Sequence, residues 1–333
     1  MFKLSKFLFL NTLIAGTFIT ISAYSWFSMW LGLEINLLSI IPLLNSTKNS
    51  FPSEAALKYF ITQSMASTVI MFAIISLLFS KDIFENNFSL ILNSAILTKM
   101  GAAPFHFWFP EIIEGLSWMN SLIILTWQKI APMILIFYFI ELTNFFIFII
   151  IVSSMIGSIM GLNQINLRKI LAYSSINHIA WLLCSLLDSF SIWMIYFSIY
   201  SIILMTLIFI LNKIHAFQIS QLMNMSFSNK MMNLSIFLIF FSLGGLPPFL
   251  GFLPKWLVIN ALISNNYFIL SFLLIIFTLI TLFYYIRVTF LALIISWQKN
   301  FTIKINLNYP FMWMILSFNF TGLIWCSLIF LNF

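Results

Sequence analysis

The sequence has little charge: only 7% of its 333 residues are Asp, Glu, Lys or Arg, whereas 62% are hydrophobic. Soluble domains carry roughly 25% charged residues, so this composition excludes an ordinary soluble domain. Runs of about 20 apolar residues are long enough to cross a bilayer as helices. We therefore expect an all-α polytopic membrane protein.

Cysteine is scarce, and several chemical motifs are missing. Cys184 and Cys326 lie in separate apolar runs, and two cysteines cannot supply the four ligands of an iron–sulfur cluster. The sequence has no glycine-rich or phosphate-binding loop that would support nucleotide binding. Haem ligation by His106 and His178 fits poorly, because their predicted membrane depths differ. The 15 Lys and Arg residues form no cluster or stripe, which argues against nucleic acid as a partner.

The apolar runs predict eleven membrane spans. No soluble domain is inserted between them, so a single transmembrane domain is expected to cover residues 1–333. The spans are expected at about 7–23, 26–44, 55–79, 88–107, 121–140, 145–162, 170–187, 191–212, 233–262, 268–292 and 311–332.

The loops between these spans differ in charge on the two sides of the membrane. Nine Lys and Arg residues fall on the side of the N-terminus, and Lys81 alone falls on the other. This asymmetry follows the positive-inside rule and predicts an N-terminus in the matrix or cytoplasm. The first apolar run lacks the Arg-rich character of a transit peptide, so we expect it to be retained as a helix.

Two Gly/Pro-rich stretches interrupt apolar spans and repeat each other. Gly101 to Pro110 and Gly245 to Pro254 both read G-x-x-P-F-x-x-x-x-P, at an offset of 144 residues. Proline breaks helices, and paired broken segments in two halves of a membrane protein point to a transport site. The breaks lie on spans four and nine, an odd number apart, so the halves should insert with opposite orientation. We expect inverted five-helix repeats over about 7–140 and 145–292, followed by a C-terminal helix at 311–332.

Five ionisable residues lie near the predicted membrane midplane or beside a break. A charge at the midplane costs about 2.5–3.5 kcal/mol on insertion scales. Five such residues indicate a proton or ion pathway, while a structural ion pair is the alternative for any single one. Burial disfavours a charged lysine and a nearby carboxylate favours it, so such groups can be poised to exchange protons. The candidate relay residues are Glu34, Lys99, Lys129, His178 and Lys255.

Three further polar residues within spans have structural explanations. Lys58 is expected to pair with Glu54, four residues earlier on the same helix. Arg287 is expected to extend to the membrane interface. His106 is expected at the rim of the first break, either as a hydrogen-bonding residue or as part of the relay.

Five ordered motifs surround the candidate relay residues and extend over nearly the whole chain. They are Leu31 to Leu38, Lys99 to Trp108, Trp127 to Pro132, Ser174 to His178, and Gly251 to Trp256. Together they resemble the antiporter-like membrane subunits of NADH:ubiquinone oxidoreductase, respiratory complex I, in an insect-like form. The resemblance implies a proton-translocating subunit of the membrane arm in the inner mitochondrial membrane. The N-terminus would lie in the matrix and the C-terminus in the intermembrane space.

The resemblance also implies individual roles and partners. Glu34 and Lys99 would form an interacting carboxylate–amine pair, Lys129 and His178 a central relay, and Lys255 the terminal exchange site. No cofactor is expected in this chain, because NADH, FMN, iron–sulfur clusters and ubiquinone would belong to partner subunits. The expected partners are other membrane-arm subunits, including neighbouring antiporter-like ones, and lipid, with no nucleic acid. Three N-terminal helices of the longer bacterial relatives would be missing.

Two alternative functions keep the same fold. A subunit of a cation/proton antiporter complex of the same superfamily would use these lysines for Na⁺ or K⁺ exchange. A purely structural spacer of the membrane arm would not need charges at the midplane.

Overall fold

The computed structural model describes residues 2–45, 50–79, 85–140, 142–225, 230–294 and 317, and this part is largely helical. The expected all-α class is confirmed there. The helices are α1 (Phe2–Ser22), α2 (Trp26–Leu44), α3 (Ser50–Phe79), α4 (Glu85–Met100), α5 (Trp108–Gly115), α6 (Trp118–Leu125), α7 (Trp127–Tyr138), α8 (Thr143–Leu162), α9 (Leu167–Asp188), α10 (Phe190–Ile214), α11 (Ile219–Met225), α12 (Lys230–Gly244), α13 (Phe252–Ser264) and α14 (Phe268–Ile294).

Ten of the predicted spans coincide with helices of the described part. Eight helical stretches are long and apolar enough to cross a membrane, with α6 and α7 together counted as one. The fourth span consists of α4 and the break that follows it, and the ninth consists of α12 and α13 with a break between them. The eleventh predicted span, 311–332, lies outside the described residues.

Both predicted breaks are confirmed. Residues 101–107 separate α4 from α5, and residues 245–251 separate α12 from α13. Each break opens with a glycine at positive φ, 76° at Gly101 and 79° at Gly245. Glycine adopts this conformation without the steric cost that a Cβ imposes, so the same residue type ends both helices.

The backbone hydrogen bonds that close the two helix ends also correspond. In the first break, the first two amides donate to the carbonyl of Leu97 at 3.1 and 3.2 Å. In the second break, the first two amides donate to the carbonyl of Phe241 at 3.1 and 3.3 Å. A left-handed glycine with these bonds satisfies carbonyls that a helix end leaves open. The sequence repeat is therefore also a repeat of local backbone structure.

The chain divides into two compact units, Met1–Ile149 and Ile150–Phe333. In the first unit, α2 packs against α1 and α3, while α3 also packs against α4 and α5. Helix α7 packs against α1, α4 and α6. The opposite orientation of the two predicted halves stays a prediction.

Helix α9 is the most deeply buried helix of the second unit. Its residues from Ile170 to Leu186 are all buried, and α10, α13 and α14 pack against it. A helix enclosed on all sides presents every polar side chain to protein rather than to the outside. Polar residues on α9 must therefore find their partners within the protein.

Candidate functional site

The predicted relay residues are largely enclosed by protein. Exposed fractions are 7% for Lys99, 1% for Lys129, 5% for His178 and 6% for Lys255. Glu34 is partly buried, and its Oε1 atom has no hydrogen-bond partner. The first unit contains the carboxylate and two of the lysines, and the second contains the histidine and the third lysine. Charges enclosed in this way need compensating polar groups.

Lys99 lies in the last turn of α4, directly before the first break, and lines a small polar cavity. Asn36, Tyr59, Gln63 and Gln128 contribute amide and phenol groups to the same lining. Such groups can both donate and accept hydrogen bonds. The cavity has room for about one water molecule, which this lining could bind beside Lys99.

Side-chain hydrogen bonds connect the helices around this cavity. The amide of Gln128 donates to Asn36 Oδ1 at 3.0 Å and accepts from the Tyr59 hydroxyl at 3.4 Å. Gln63 Nε2 donates to the backbone carbonyl of Lys99 at 3.2 Å. Helices α2, α3, α4 and α7 thus meet through oriented polar groups at Lys99.

Glu34, on α2, is within electrostatic range of Lys99. Its buried Oε1 makes no hydrogen bond. Direct pairing of the two side chains stays a prediction. Motion of α2 or of the lysine side chain would change the strength of the electrostatic interaction.

Lys129 lies in the first turn of α7, directly after an irregularity at Thr126. The predicted span 121–140 contains this irregularity, since Thr126 ends α6 and precedes α7. The Thr126 hydroxyl donates to the carbonyl of Leu122 at 2.7 Å, a bond that often bends helices. The Lys129 ammonium lies 5.6 Å from the centroid of the Phe109 ring. Among the described residues, the buried lysines Lys99, Lys129 and Lys255 therefore each lie close to a helix irregularity or break.

Lys255 folds back onto the helix that precedes its break. Its Nζ donates to the carbonyls of Gly244 and Leu243 at 2.8 and 3.2 Å. These are the last carbonyls of α12, where the helix dipole favours a positive charge. The same Nζ lies 6.0 Å from the centroid of the Trp181 ring on α9.

His178 also lies on α9 and is held by aromatic side chains of α10. Its Nδ1 lies 3.0 Å from the Tyr196 hydroxyl, in a buried hydrogen bond. The Tyr200 ring centroid lies 4.8 Å from that of the imidazole. His178 and Trp181 are three residues apart and share one helix face. This face of α9 therefore carries His178 and, at Trp181, lies beside Lys255.

The structure gives partners to two other basic residues. The predicted pairing of Lys58 with Glu54 is confirmed at 3.3 Å, and Glu111 of α5 adds a second partner at 3.1 Å. Arg287 Nη2 donates to the carbonyl of Gln164 at 3.0 Å, just past α8, where carbonyls lack partners within the helix. The extension of Arg287 to the membrane interface stays a prediction.

Sequence reasoning missed the amides and phenols around Lys99 and His178. A signal was present, because Tyr59 and Gln63, like Tyr196 and Tyr200, are four residues apart in apolar spans. That spacing places each pair on one helix face. The spacing alone does not show which other helix packs against that face.

Paired broken helices beside buried lysines define a class of protein. In transporters, discontinuous helices place charges and backbone groups at membrane depth. Irregular backbone is tolerated there where protein or a water-filled cavity surrounds it. The fold and the site are those of a polytopic, antiporter-like membrane domain.

Comparisons with known proteins identify the family. The model of the NADH:quinone oxidoreductase/Mrp antiporter transmembrane family matches residues 23–281. NADH-ubiquinone oxidoreductase chain 2 of Anopheles gambiae is 47% identical over 342 residues, which cover 99% of each chain. The Locusta migratoria protein of that name is 44% identical over 89% of this chain and 87% of its own. The chain belongs to the family of NADH-ubiquinone oxidoreductase chain 2, a membrane subunit of complex I.

Solved structures share the fold at low sequence identity. A chain of respiratory complex I from Thermus thermophilus with bound aureothin matches with a TM-score of 0.84 and 20% identity, over 97% of this chain and 77% of that one. A chain of the Mrp complex from Dietzia matches with a TM-score of 0.74 and 16% identity, over 90% and 61% respectively. The antiporter-like fold is therefore shared with both kinds of complex.

Proposed function

We propose that this chain translocates protons across the inner mitochondrial membrane, coupled to electron transfer from NADH to ubiquinone in complex I. The observation that carries the proposal is the set of three buried lysines, each beside a helix interruption. A charge at membrane depth costs about 2.5–3.5 kcal/mol on insertion scales. A purely structural spacer would gain nothing from buried charges that destabilise insertion, whereas a proton path needs titratable groups at membrane depth.

The first unit contains the groups that would load a proton. The negative charge of Glu34 favours the protonated form of Lys99. Weakening this interaction, by moving the charges apart, would favour release of the proton. The polar cavity at Lys99 can hold the water that accepts it, and its lining includes Gln128, the neighbour of Lys129. Proton loading and release would thus be controlled by the distance between two charges.

The second unit would receive and release the proton through His178 and Lys255, with Lys129 and His178 as the central relay. Lys255 is the terminal exchange site of the proposal. Its hydrogen bonds to two carbonyls of α12 are stronger when the donor is charged. Widening of the second break would weaken these bonds and so favour deprotonation. Movement at the break would therefore control proton release.

The redox chemistry is assigned to partner subunits. In this proposal NADH, FMN, iron–sulfur clusters and ubiquinone bind outside this chain, and its partners are lipid and other membrane-arm subunits, including antiporter-like neighbours. The N-terminus lies in the matrix and the C-terminus in the intermembrane space. The charge asymmetry of the loops supports this orientation, and the name of the relatives supports the complex.

A pair of glutamate variants in the assembled complex tests the proposal. Glu34→Gln removes the partly buried charge at Lys99, and Glu54→Gln removes a charge whose side chain is 65% exposed. The measurement is the rate of proton uptake by sealed vesicles that oxidise NADH in choline buffer free of Na⁺ and K⁺. We expect Glu34→Gln to lower this rate about 100-fold, the lower end for removal of a proton-transfer group, and Glu54→Gln to leave it unchanged.

The same vesicles distinguish the alternative transport function. Uptake by the unaltered complex should persist without Na⁺ or K⁺. If proton uptake required Na⁺ or K⁺, and Glu34→Gln abolished that cation-dependent uptake, the result would favour cation/proton antiport instead. Equal uptake in both glutamate variants would remove Glu34 from the path.

A further inference from the structure

His178, a candidate relay residue of the second unit, is in direct side-chain contact with Tyr196. The Tyr196 hydroxyl and His178 Nδ1 lie 3.0 Å apart. Tyr196 is 1% exposed and His178 is 5% exposed. A hydrogen bond so enclosed cannot be exchanged for one to bulk water.

The phenol and the imidazole have complementary hydrogen-bonding abilities. A phenol hydroxyl both donates and accepts, and each ring nitrogen of neutral histidine either donates or accepts. When His178 is neutral with its proton on Nδ1, Nδ1–H donates to the phenol oxygen and Nε2 is unprotonated. When His178 is positively charged, Nδ1–H makes the same bond and Nε2 also carries a proton. The phenol oxygen therefore accepts the same hydrogen bond in both protonation states.

The neighbouring ring restricts the imidazole further. The Tyr200 ring packs 4.8 Å from the imidazole at an interplanar angle of 40°. The hydroxyl of Tyr200 is hydrogen-bonded to Ser175 on α9. The hydroxyls of Tyr196 and Tyr200 thus differ, since the first bonds to the histidine nitrogen and the second to Ser175. This difference supplies a matched control.

We propose that Tyr196 is a positioning residue that holds Nδ1 of His178 in both protonation states and directs proton exchange to Nε2. The inference rests on the proposed function of His178 in the proton path. In each cycle Nε2 accepts one proton and later releases one, while Nδ1–H stays bonded to the phenol oxygen and the phenol keeps its own proton. A phenolate would be an uncompensated buried charge, so Tyr196 does not itself pass the proton.

Three variants of the assembled complex test this inference. Tyr196→Phe removes the hydroxyl on Nδ1, Tyr200→Phe removes the neighbouring hydroxyl on the same helix, and His178→Gln removes the titrating group. The measurements are assembly by native gel, the kcat and KM of NADH-driven ubiquinone reduction, and its solvent isotope effect in D₂O.

We expect Tyr196→Phe to assemble, to lower kcat about tenfold and to leave KM for ubiquinone unchanged, because a misplacement of about 1 Å can cost up to about 100-fold in rate. The isotope effect should rise, since proton transfer becomes more rate-limiting. Tyr200→Phe should change neither quantity by more than about twofold. A purely structural role of Tyr196 would not produce the isotope effect.

The outcomes separate this inference from the proposed function. Normal turnover and isotope effect in Tyr196→Phe, with loss of turnover in His178→Gln, would overturn the positioning role and leave His178 in the path. Normal turnover in both would remove His178 from the path, and the positioning role with it. Failure of Tyr196→Phe to assemble, or equal defects in both tyrosine variants, would make the hydroxyl structural and overturn the inference.

Discussion

The two breaks have the same local backbone conformation, but their lysines make different contacts. At the second break, the Lys255 ammonium itself donates to the last carbonyls of α12. At the first break, neutral side chains donate to carbonyls of the last turn of α4. Trp108 Nε1 donates to the Thr98 carbonyl at 3.1 Å, and Gln63 Nε2 donates to the Lys99 carbonyl. The ammonium of Lys99 is therefore not needed as a cap and lines a polar cavity. Equal backbone geometry thus supports one lysine that lines a polar cavity and one that is hydrogen-bonded to the preceding helix end.

The sequence repeat explains why the capping differs. The offset of 144 residues carries Lys255 onto Glu111. A carboxylate only accepts hydrogen bonds, so it cannot cap carbonyls. Glu111 pairs instead with Lys58 on α3. The first break therefore needs donors from elsewhere, and Gln63 and Trp108 supply them.

The largest expected effect distinguishes the ends of the two breaks. A Cβ at Gly251 would collide with the carbonyl oxygen of Ser242, whereas the corresponding position in the first break is Phe107, which is 75% exposed. We expect Gly251→Ala to cost about 3 kcal/mol, the upper end for overpacking, and to reduce assembly. Phe107→Ala, the control, should be neutral within about 0.5 kcal/mol. Assembled complex on native gels measures both, and equal yields would contradict the difference.

The second prediction compares the two lysines directly. Lys255→Met leaves two carbonyls of α12 without their donor, and each hydrogen bond from a charged group contributes about 1.5–3 kcal/mol. Lys99→Met removes a buried charge and no cap. The Lys255 variant should therefore be less stable by about 3 kcal/mol, although both should lose proton uptake. Thermal denaturation of the two assembled complexes measures the difference, and identical midpoints would show that Lys255 does not stabilise the second break.

A smaller effect is expected from the neutral cap of the first break. Gln63→Leu leaves the Lys99 carbonyl without this donor, which should cost about 1–2 kcal/mol for an unsatisfied buried group. It also removes a polar group from the cavity, so proton uptake should slow. Thr62→Val is the matched control, because the Thr62 hydroxyl bonds only to carbonyls of its own helix. A similar loss of uptake in both variants would mean that Gln63 is not specific to the cavity.

The smallest effect is expected at Lys58, whose side chain is 46% exposed despite two carboxylate partners. Exposed ion pairs contribute about 0–1 kcal/mol. Lys58→Met should therefore assemble, retain proton uptake and lose under about 1 kcal/mol of stability. Salt should narrow the difference from the unaltered chain, because it screens exposed charges. A large loss of uptake would place this lysine in the path and extend the site beyond the buried groups.

Helical spans and breaks could be predicted because their signals are local. An apolar run of about 20 residues predicts a span, and Gly101 and Gly245 each begin a Gly/Pro-rich interruption. The irregularity at Thr126 was missed because one threonine in an apolar run has no such signal. It depends on a side-chain hydrogen bond to the carbonyl of Leu122.

The candidate site could be predicted residue by residue but not as an arrangement. A buried charge in an apolar span is conspicuous by itself, so Lys99, Lys129 and Lys255 could be found. Which groups compensate each charge depends on packing between distant helices. The hydrogen bond from Gln128 to Asn36 joins residues 92 positions apart in sequence. The periodic pattern of apolar and polar residues does not predict such a contact.

The most direct test of the proton path is proton uptake by a complex that contains Lys129→Met. Met retains much of the volume of the lysine stem, so the packing loss should be modest, and removal of the buried charge should not harm insertion. The measurement pairs assembly on native gels with the separate rates of proton uptake and of NADH oxidation in sealed vesicles, and Lys58→Met serves as the matched control. We expect normal assembly, and rates of uptake and of NADH-driven ubiquinone reduction that both fall about 100-fold, the lower end for loss of a proton-transfer group, because Met cannot take and release a proton. Normal uptake by the assembled variant would contradict the relay role and favour a structural spacer, and loss of assembly would make Lys129 a structural charge.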